Sequence, residues 1–296
     1  MTQINSEQKK RLASEWFADL SNQICECFET LERELHAPKG FAVEPGSFIR
    51  QETTRTAINE SDAGGGIMSK MVTGKVFEKV GVNVSTVYGN LSPKMSEALK
   101  KRKKIEDGES GFWASGISLV AHLNHPRVPA VHFNTRMFVT EKKTWFGGGT
   151  DLNPCIEYPE DTKLFHSSLK ETCDQHDPDY YEEFSDWADR YFYIPHRKRT
   201  RGVGGIFFDD LDTGNWVNDF EFVMDVGKTF ISVYPEIVTL RQKETWTEDD
   251  REKQLLHRGL YTEFNLIYDR GTKFGLESGH YPDAVLMSLP PLAKWK

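Results

Sequence analysis

The sequence predicts an α+β fold, a single domain over residues 1–296 built on a large antiparallel β-sheet with α-helices on both faces. Three observations carry that prediction. Extended segments follow one another through short links with little helix between them, which disfavours βαβ winding. Helical patterns gather elsewhere, in the opening stretch and again after about Asp161. No low-complexity linker or repeat divides the chain, and 38% hydrophobic residues suffice for one sizeable core.

The first element is a helix over residues 6–36. Leu12, Trp16, Leu20, Ile24, Cys27, Leu31 and Leu35 recur at three-to-four spacing between Ser6 and Pro38. Strands are predicted in FIRQETTRTAI (48–58), KVFEKVGVNVSTVYG (75–89), GISLVAHLN (116–124) and AVHFNTRMFVTE (130–141). LKKRKKIEDGES (99–110) reads as a solvated helix end running into a loop. Helices are expected in FHSSLKETCDQH and YYEEFSDWADRYFYIPH, a strand in GGIFFDDL, and helix again from Trp216. TEFNLIYDR and DAVLMSLP are predicted to close the chain as strands.

Composition removes several function classes. A net charge of −8 argues against a nucleic-acid partner. No apolar run approaches the roughly 20 residues of a membrane span, and MTQINSEQKKRLASEW has no apolar signal core, so a cytoplasmic protein is expected. Cys25, Cys27, Cys155 and Cys173 lack zinc or cluster spacing and read as buried thiols. The glycine runs 64–66, 147–149 and RGVGGIFF (201–208) are neither a dinucleotide fingerprint nor a Walker loop. They read as turns, and Gly147–Gly149 is expected to present Asp151 as an exposed carboxylate. No GxSxG elbow accompanies Ser118.

The chemistry-bearing stretch is HLNHPRVPAVHFNTRMF (122–138). Beyond Pro129 it alternates, placing His132, Asn134, Arg136 and Phe138 on one side of a strand and Val131, Phe133, Thr135 and Met137 on the other. The polar side carries a proton-transfer group, an amide and a guanidinium whose planar fork suits a carboxylate. His122, His132, His166 and His196 could instead gather a metal, although no HxH or HxxxH pair sets two ligands on one local face. The residues themselves therefore point to an anionic substrate and acid–base chemistry.

Longer stretches go further. GISLVAHLNHPRVPAVHFNTRMF, WFGGGTDLNP, the run from FHSSLKETCDQH through RKRTRGVGGIFFDDL, and YTEFNLIYDRGTKFGL with MSLPPLAKW resemble the oxygen-dependent coproporphyrinogen-III oxidase family, in order from about Phe48 to Trp295. The resemblance implies oxidative decarboxylation of two propionates of coproporphyrinogen III to vinyl groups, giving protoporphyrinogen IX, CO2 and hydrogen peroxide. It implies a homodimer joined through about 261–296, O2 as co-substrate and no organic cofactor. By the same match Ser118, Asn134, Arg136 and Gly279 bind substrate, and the catalytic residues are His132 as proton donor, Asp151, which holds or deprotonates pyrrole N–H groups, and Arg136. A divalent metal on His122, His132, His166 and His196 stays open, since the family includes members acting without one. Alternatives are a porphyrinogen-binding protein impaired in catalysis and a histidine-ligated oxygenase. One departure bears on the first: Ser278-Gly279-His280-Tyr281 stands where relatives commonly carry Thr-Gly-Gly-Arg. An imidazolium at His280 is expected to take over the missing arginine's contact with a propionate.

Overall fold

The computed structural model describes residues 4–38, 40–41, 44–55, 63–277 and 279–296; the end of the strand predicted over 48–58 and Ser278 lie outside the described residues. Helix α1 (Ser6–Glu34) begins at an Asn5 cap that forms a capping box with Gln8. Strands β1 (Ile49–Thr54), β2 (Ala63–Val72) and β3 (Phe77–Asn90) follow, then α2 (Pro93–Lys101), β4 (Gly111–Leu123), β5 (Ala130–Thr140) and β6 (Thr144–Asn153). Next come α3 (Pro159–His176), α4 (Tyr180–Tyr191), a short hairpin of β7 (Tyr193–Ile194) and β8 (Arg199–Thr200), and β9 (Gly205–Leu211). Helices α5 (Trp216–Arg241), α6 (Glu248–Ile267), α7 (Arg270–Glu277) and α8 (Pro282–Val285) complete the described chain.

The sheet has seven strands in the order β1-β2-β3-β4-β5-β6-β9, with every neighbouring pair antiparallel. Helices α1, α3 and α5 cover one face, the face to which Val131, Phe133 and Met137 alternate. Phe28 stacks on Phe77 at 4.6 Å and Phe133 on Phe230 at 4.7 Å, so aromatic pairs span the layers. Helix α4 packs against β9 at the sheet's edge. On the opposite face, α2 covers the end around Phe112, Phe138 and Trp145. The C-terminal segment lies over β3 and β4, with Asn83 Nδ2 donating to Ala284 O and Lys79 Nζ to Leu289 O.

Two predicted turns are strands. Gly64–Gly66 belong to β2 and Gly147–Gly149 to β6. At Gly65 and Gly66 a Cβ would lie 2.1 Å and 1.9 Å from the carbonyl oxygens of Thr53 and Val84, so close strand approach selects glycine there. The two predicted closing strands are helical instead. TEFNLI closes α6, whose C-cap is Tyr268, and DAVLMSLP forms α8 and a 3-10 turn over Leu286–Ser288. The buried stripe of α6 is largely polar (Asp250, Gln254, Arg258, Tyr261, Asn265), so an apolar periodicity could not show it. All four cysteines are free, and burial pushes the Cys25 thiol up to about 11 and those of Cys155 and Cys173 to about 12.

Candidate active site

On the sheet face opposite α1, α3 and α5, strand register decides which side chains of β4, β5 and β6 stand together. Ser118 pairs with Asn134, Arg136 with Gly147, and His132 with Asp151. Directly opposed residues of an antiparallel sheet share a face, so the predicted row His132, Asn134, Arg136 meets Ser118 and Asp151 on one surface. Ser118 is exposed there, and His132, Asn134 and Arg136 are half-buried.

Asp151 is not the exposed loop carboxylate that the glycine run suggested. It lies within β6, 1% exposed, and its oxygens are already engaged. Arg201 donates from Nε to Oδ2 at 2.9 Å and from Nη2 to Oδ1 at 2.6 Å, and Asn153 Nδ2 reaches Oδ2 at 2.8 Å. His132 Nδ1 lies 2.9 Å from Oδ1. Burial alone would raise the Asp151 carboxyl, but Arg201 and His132 outweigh it and hold the group well below the usual carboxylate range. A carboxylate held ionised only accepts, so the proton between the pair sits on His132 Nδ1. The Nε2 atom is the ring nitrogen left for a ligand. Phe192 lies edge-on to the imidazole at 6.0 Å and fixes its plane.

Arg201 itself was not singled out in the sequence. It is 2% exposed, inside a box of Phe192, Tyr261 and Phe264 whose ring centres stand 4.3, 4.7 and 4.6 Å from the guanidinium carbon. Asn265 Oδ1 accepts from its Nη1 at 2.9 Å. A buried guanidinium needs a counter-charge, and Asp151 is that charge. The available signal was RTRGVGG, a basic run leading into a strand opposite Asp151, which sequence pattern alone does not distinguish from a surface turn.

Arg136 reaches across Gly147 to Asp209, with Nη2 at 3.1 Å from Oδ1. A Cβ at position 147 would stand 2.8 Å from Asp209 Oδ1 and 2.9 Å from Arg136 Nη2. Glycine at 147 therefore makes room for that pair. Asn134 Oδ1 is buried without a hydrogen-bond partner.

The four histidines weighed as a metal set, a question the sequence left open, are not assembled. His122 Nε2 sits 2.9 Å from Ser288 O, and its ring stands edge-on to Tyr261. His166 bonds Tyr181 Oη and Val203 O, and His196 bonds Tyr268 Oη and Glu263, while His132 faces Asp151. Among the described residues no three His, Cys, Asp or Glu side chains converge as a metal site. Gly279 adopts φ +76°, the left-handed turn that suits glycine. The expected imidazolium at His280 is not supported. Burial, assisted by the Arg55 charge, pushes His280 down to about 4, which leaves it neutral at pH 7. Tyr281 Oη donates to Asp283 at 3.3 Å.

The family model described as coproporphyrinogen III oxidase matches residues 13–296. An oxygen-dependent coproporphyrinogen-III oxidase of Rickettsia bellii (strain RML369-C) is 47% identical over 290 residues, 98% of this chain and 99% of its own. Proteins of the same name from Rickettsia rickettsii (strain Sheila Smith) and Rickettsia felis are 48% and 49% identical over 288 residues, 97% of this chain and 99% of theirs. The sheet face with its histidine, amide and arginine thus sits in a chain that belongs to the coproporphyrinogen III oxidase family.

Proposed function

We propose that this protein catalyses the O2-dependent oxidative decarboxylation of coproporphyrinogen III to protoporphyrinogen IX, in haem biosynthesis. In each of two conversions a propionate arm –CH2–CH2–COO⁻ loses its carboxylate as CO2 and one C–H hydrogen, and a C=C bond forms. O2 accepts the two electrons and, with one proton from the surroundings, leaves as H2O2. The electron-rich pyrroles supply the reducing power, so O2 serves as co-substrate and no organic cofactor is called for. The requirement left for the protein is to bind carboxylates, orient the macrocycle and move protons.

The single observation that carries the reading is the Arg201–Asp151–His132 chain ending on the same face as Ser118, Asn134 and Arg136. His132 Nε2 is the proton-transfer atom. Asp151 acts through His132 by fixing its tautomer and offsetting charge on the ring. Asn134, Ser118 and the turn at Gly279 complete the binding surface. This replaces the expectation that Asp151 itself faces the pyrroles.

The proposal extends to a homodimer formed through about 261–296. Leu266, Ile267, Leu276, Leu292 and Trp295, all within that stretch, are between 46% and 58% exposed and support an interface there. It also extends to a cytoplasmic setting, with four free thiols consistent with a reducing compartment. No helix among the described residues is long and apolar enough to cross a membrane. The test is turnover of coproporphyrinogen III with and without O2, and with a strong chelator. Product that requires O2 and survives chelation is expected. Substrate binding without product would favour a binding protein, and chelator-sensitive turnover restored by a divalent ion would favour a metal oxygenase.

A further inference from the structure

Arg136 is one of three arginines around a single carboxylate. Asp209 Oδ1 lies 3.1 Å from Arg136 Nη2, and Oδ2 lies 2.9 Å from Arg102 Nη2 and 3.9 Å from Arg270 Nη2. The Asp209 side chain is 6% exposed, whereas those of Arg102, Arg136 and Arg270 are 34%, 34% and 53% exposed. Arg102 also binds Asp210, and Lys104 Nζ stands 3.5 Å from Asp210. Four cations thus face two carboxylates, an excess of two positive charges in one cluster.

The backbone is built for this arrangement. The β6–β9 register shifts between Phe146 and Gly148, and Asp210 takes φ +62°, so adjacent aspartates both turn toward Arg102. Tyr191 and Phe207 stack at 4.0 Å and support the Arg270 guanidinium, 4.9 Å from the Tyr191 ring centre. The three arginines come from three different places: the end of α2, the middle of β5 and the start of α7. A buried acid at their meeting point aims them while leaving their outer N–H groups toward water.

We infer that Arg102, Arg136 and Arg270 form an anchoring subsite for a carboxylate that does not react, with Asp209 as the positioning residue that holds the three guanidiniums in place. The inference rests on the proposed polycarboxylate substrate. Arg136 is four residues along β5 from His132, about 13 Å at roughly 3.3 Å per residue. A carboxylate held at the cluster therefore belongs to a different arm from the one reacting beside His132. The subsite fixes one arm at a distance and sets which arm meets the proton-transfer atom.

Coproporphyrin III tests this independently of turnover. It carries the same four carboxylates, fluoresces, and is aromatic, so it does not give electrons to O2 in this way. Titration of wild type, Arg102→Gln and Arg270→Gln should show each variant binding it roughly tenfold or more weakly, the loss typical of a charge-assisted hydrogen bond. The salt dependence of binding should fall as well. With coproporphyrinogen III the same variants should raise KM while kcat stays within about twofold. Variants that melt like wild type and bind coproporphyrin III equally tightly would overturn the subsite, and so would a loss confined to kcat. A wild type that binds coproporphyrin III but never decarboxylates coproporphyrinogen would refute the proposed function alone. In that case the binding loss in the two variants would still uphold the subsite.

Discussion

Replacing Asp151 by Asn tests the site and the fold together. The amide is nearly isosteric, yet it withdraws the negative charge to which a guanidinium only 2% exposed donates two hydrogen bonds. Breaking a buried pair by neutralising one member typically costs about 3–5 kcal/mol. At about 2 °C per kcal/mol for a chain of this size, the melting temperature should fall by roughly 6–10 °C. Turnover should fall further than stability explains, by about 10²–10⁴. A neutral amide in place of the Asp151 carboxylate cannot offset an imidazolium at His132, and it can present an N–H where His132 Nδ1–H needs an acceptor. The two effects separate in the double variant Asp151→Asn/Arg201→Gln, which removes both charges. Its melting temperature should recover by more than half while turnover stays low. Thermal melts and initial rates of wild type and both variants make the assay. An Asp151→Asn protein that melts normally and turns over normally would refute both the buried pair and its control of His132.

Other outcomes follow from the same contacts. Arg136→Lys should raise KM about tenfold, since an ammonium cannot reproduce the planar fork. Gly147→Ala should mimic it in KM, because the added Cβ would stand 2.8 Å from Asp209 Oδ1 and 2.9 Å from Arg136 Nη2 and push that pair apart. Glu32 is fully buried and accepts from the backbone N–H groups of Gly46, Lys75, Val76 and Phe77, so Glu32→Ala should destabilise the fold by at least about 4 kcal/mol in urea denaturation. His257 and His280 are pushed down to about 4 by burial, and His122 lies well below its ordinary value. Unfolding raises these pKa values to about 6.5, so the unfolded chain binds more protons across that window. Stability should be level above about pH 7 and fall from about 6.5 toward 4, by about 1.4 kcal/mol per pH unit for each proton taken up. A urea midpoint indifferent to pH between 7 and 5 would contradict the burial of these imidazoles.

The parts legible in the sequence were those with a period. The two-residue alternation of Val131–Phe138 placed His132, Asn134 and Arg136 on one face, and the three-to-four spacing of Leu12–Leu35 placed α1, which ends at Glu34. What stayed hidden had no apolar period. The strand β6 reads TWFGGGTDLN, whose glycines signal a turn until Arg136, Asp209 and the neighbouring strand backbones are seen to need their space. The inward stripe of α6 is largely polar, serving Arg201 through Asn265 and Glu78 through Arg258. Arg201 and Asp209 lie far in sequence from the residues they contact, Asp151 and Arg136, and the sheet order β5-β6-β9 is what brings each pair together. The four histidines looked like a cluster by count, yet each had a separate local task.

The most direct measurement follows CO2 and H2O2 released from coproporphyrinogen III under O2 by wild type and by His132→Gln. CO2 and H2O2 are expected in equal amounts, two of each for every protoporphyrinogen IX formed by wild type. In His132→Gln the rate should fall by about 10²–10⁴ with coproporphyrin III still bound. Release by wild type of CO2 without O2 consumption, or a His132→Gln protein as fast as wild type, would contradict a proton-transferring His132 in an O2-dependent decarboxylation.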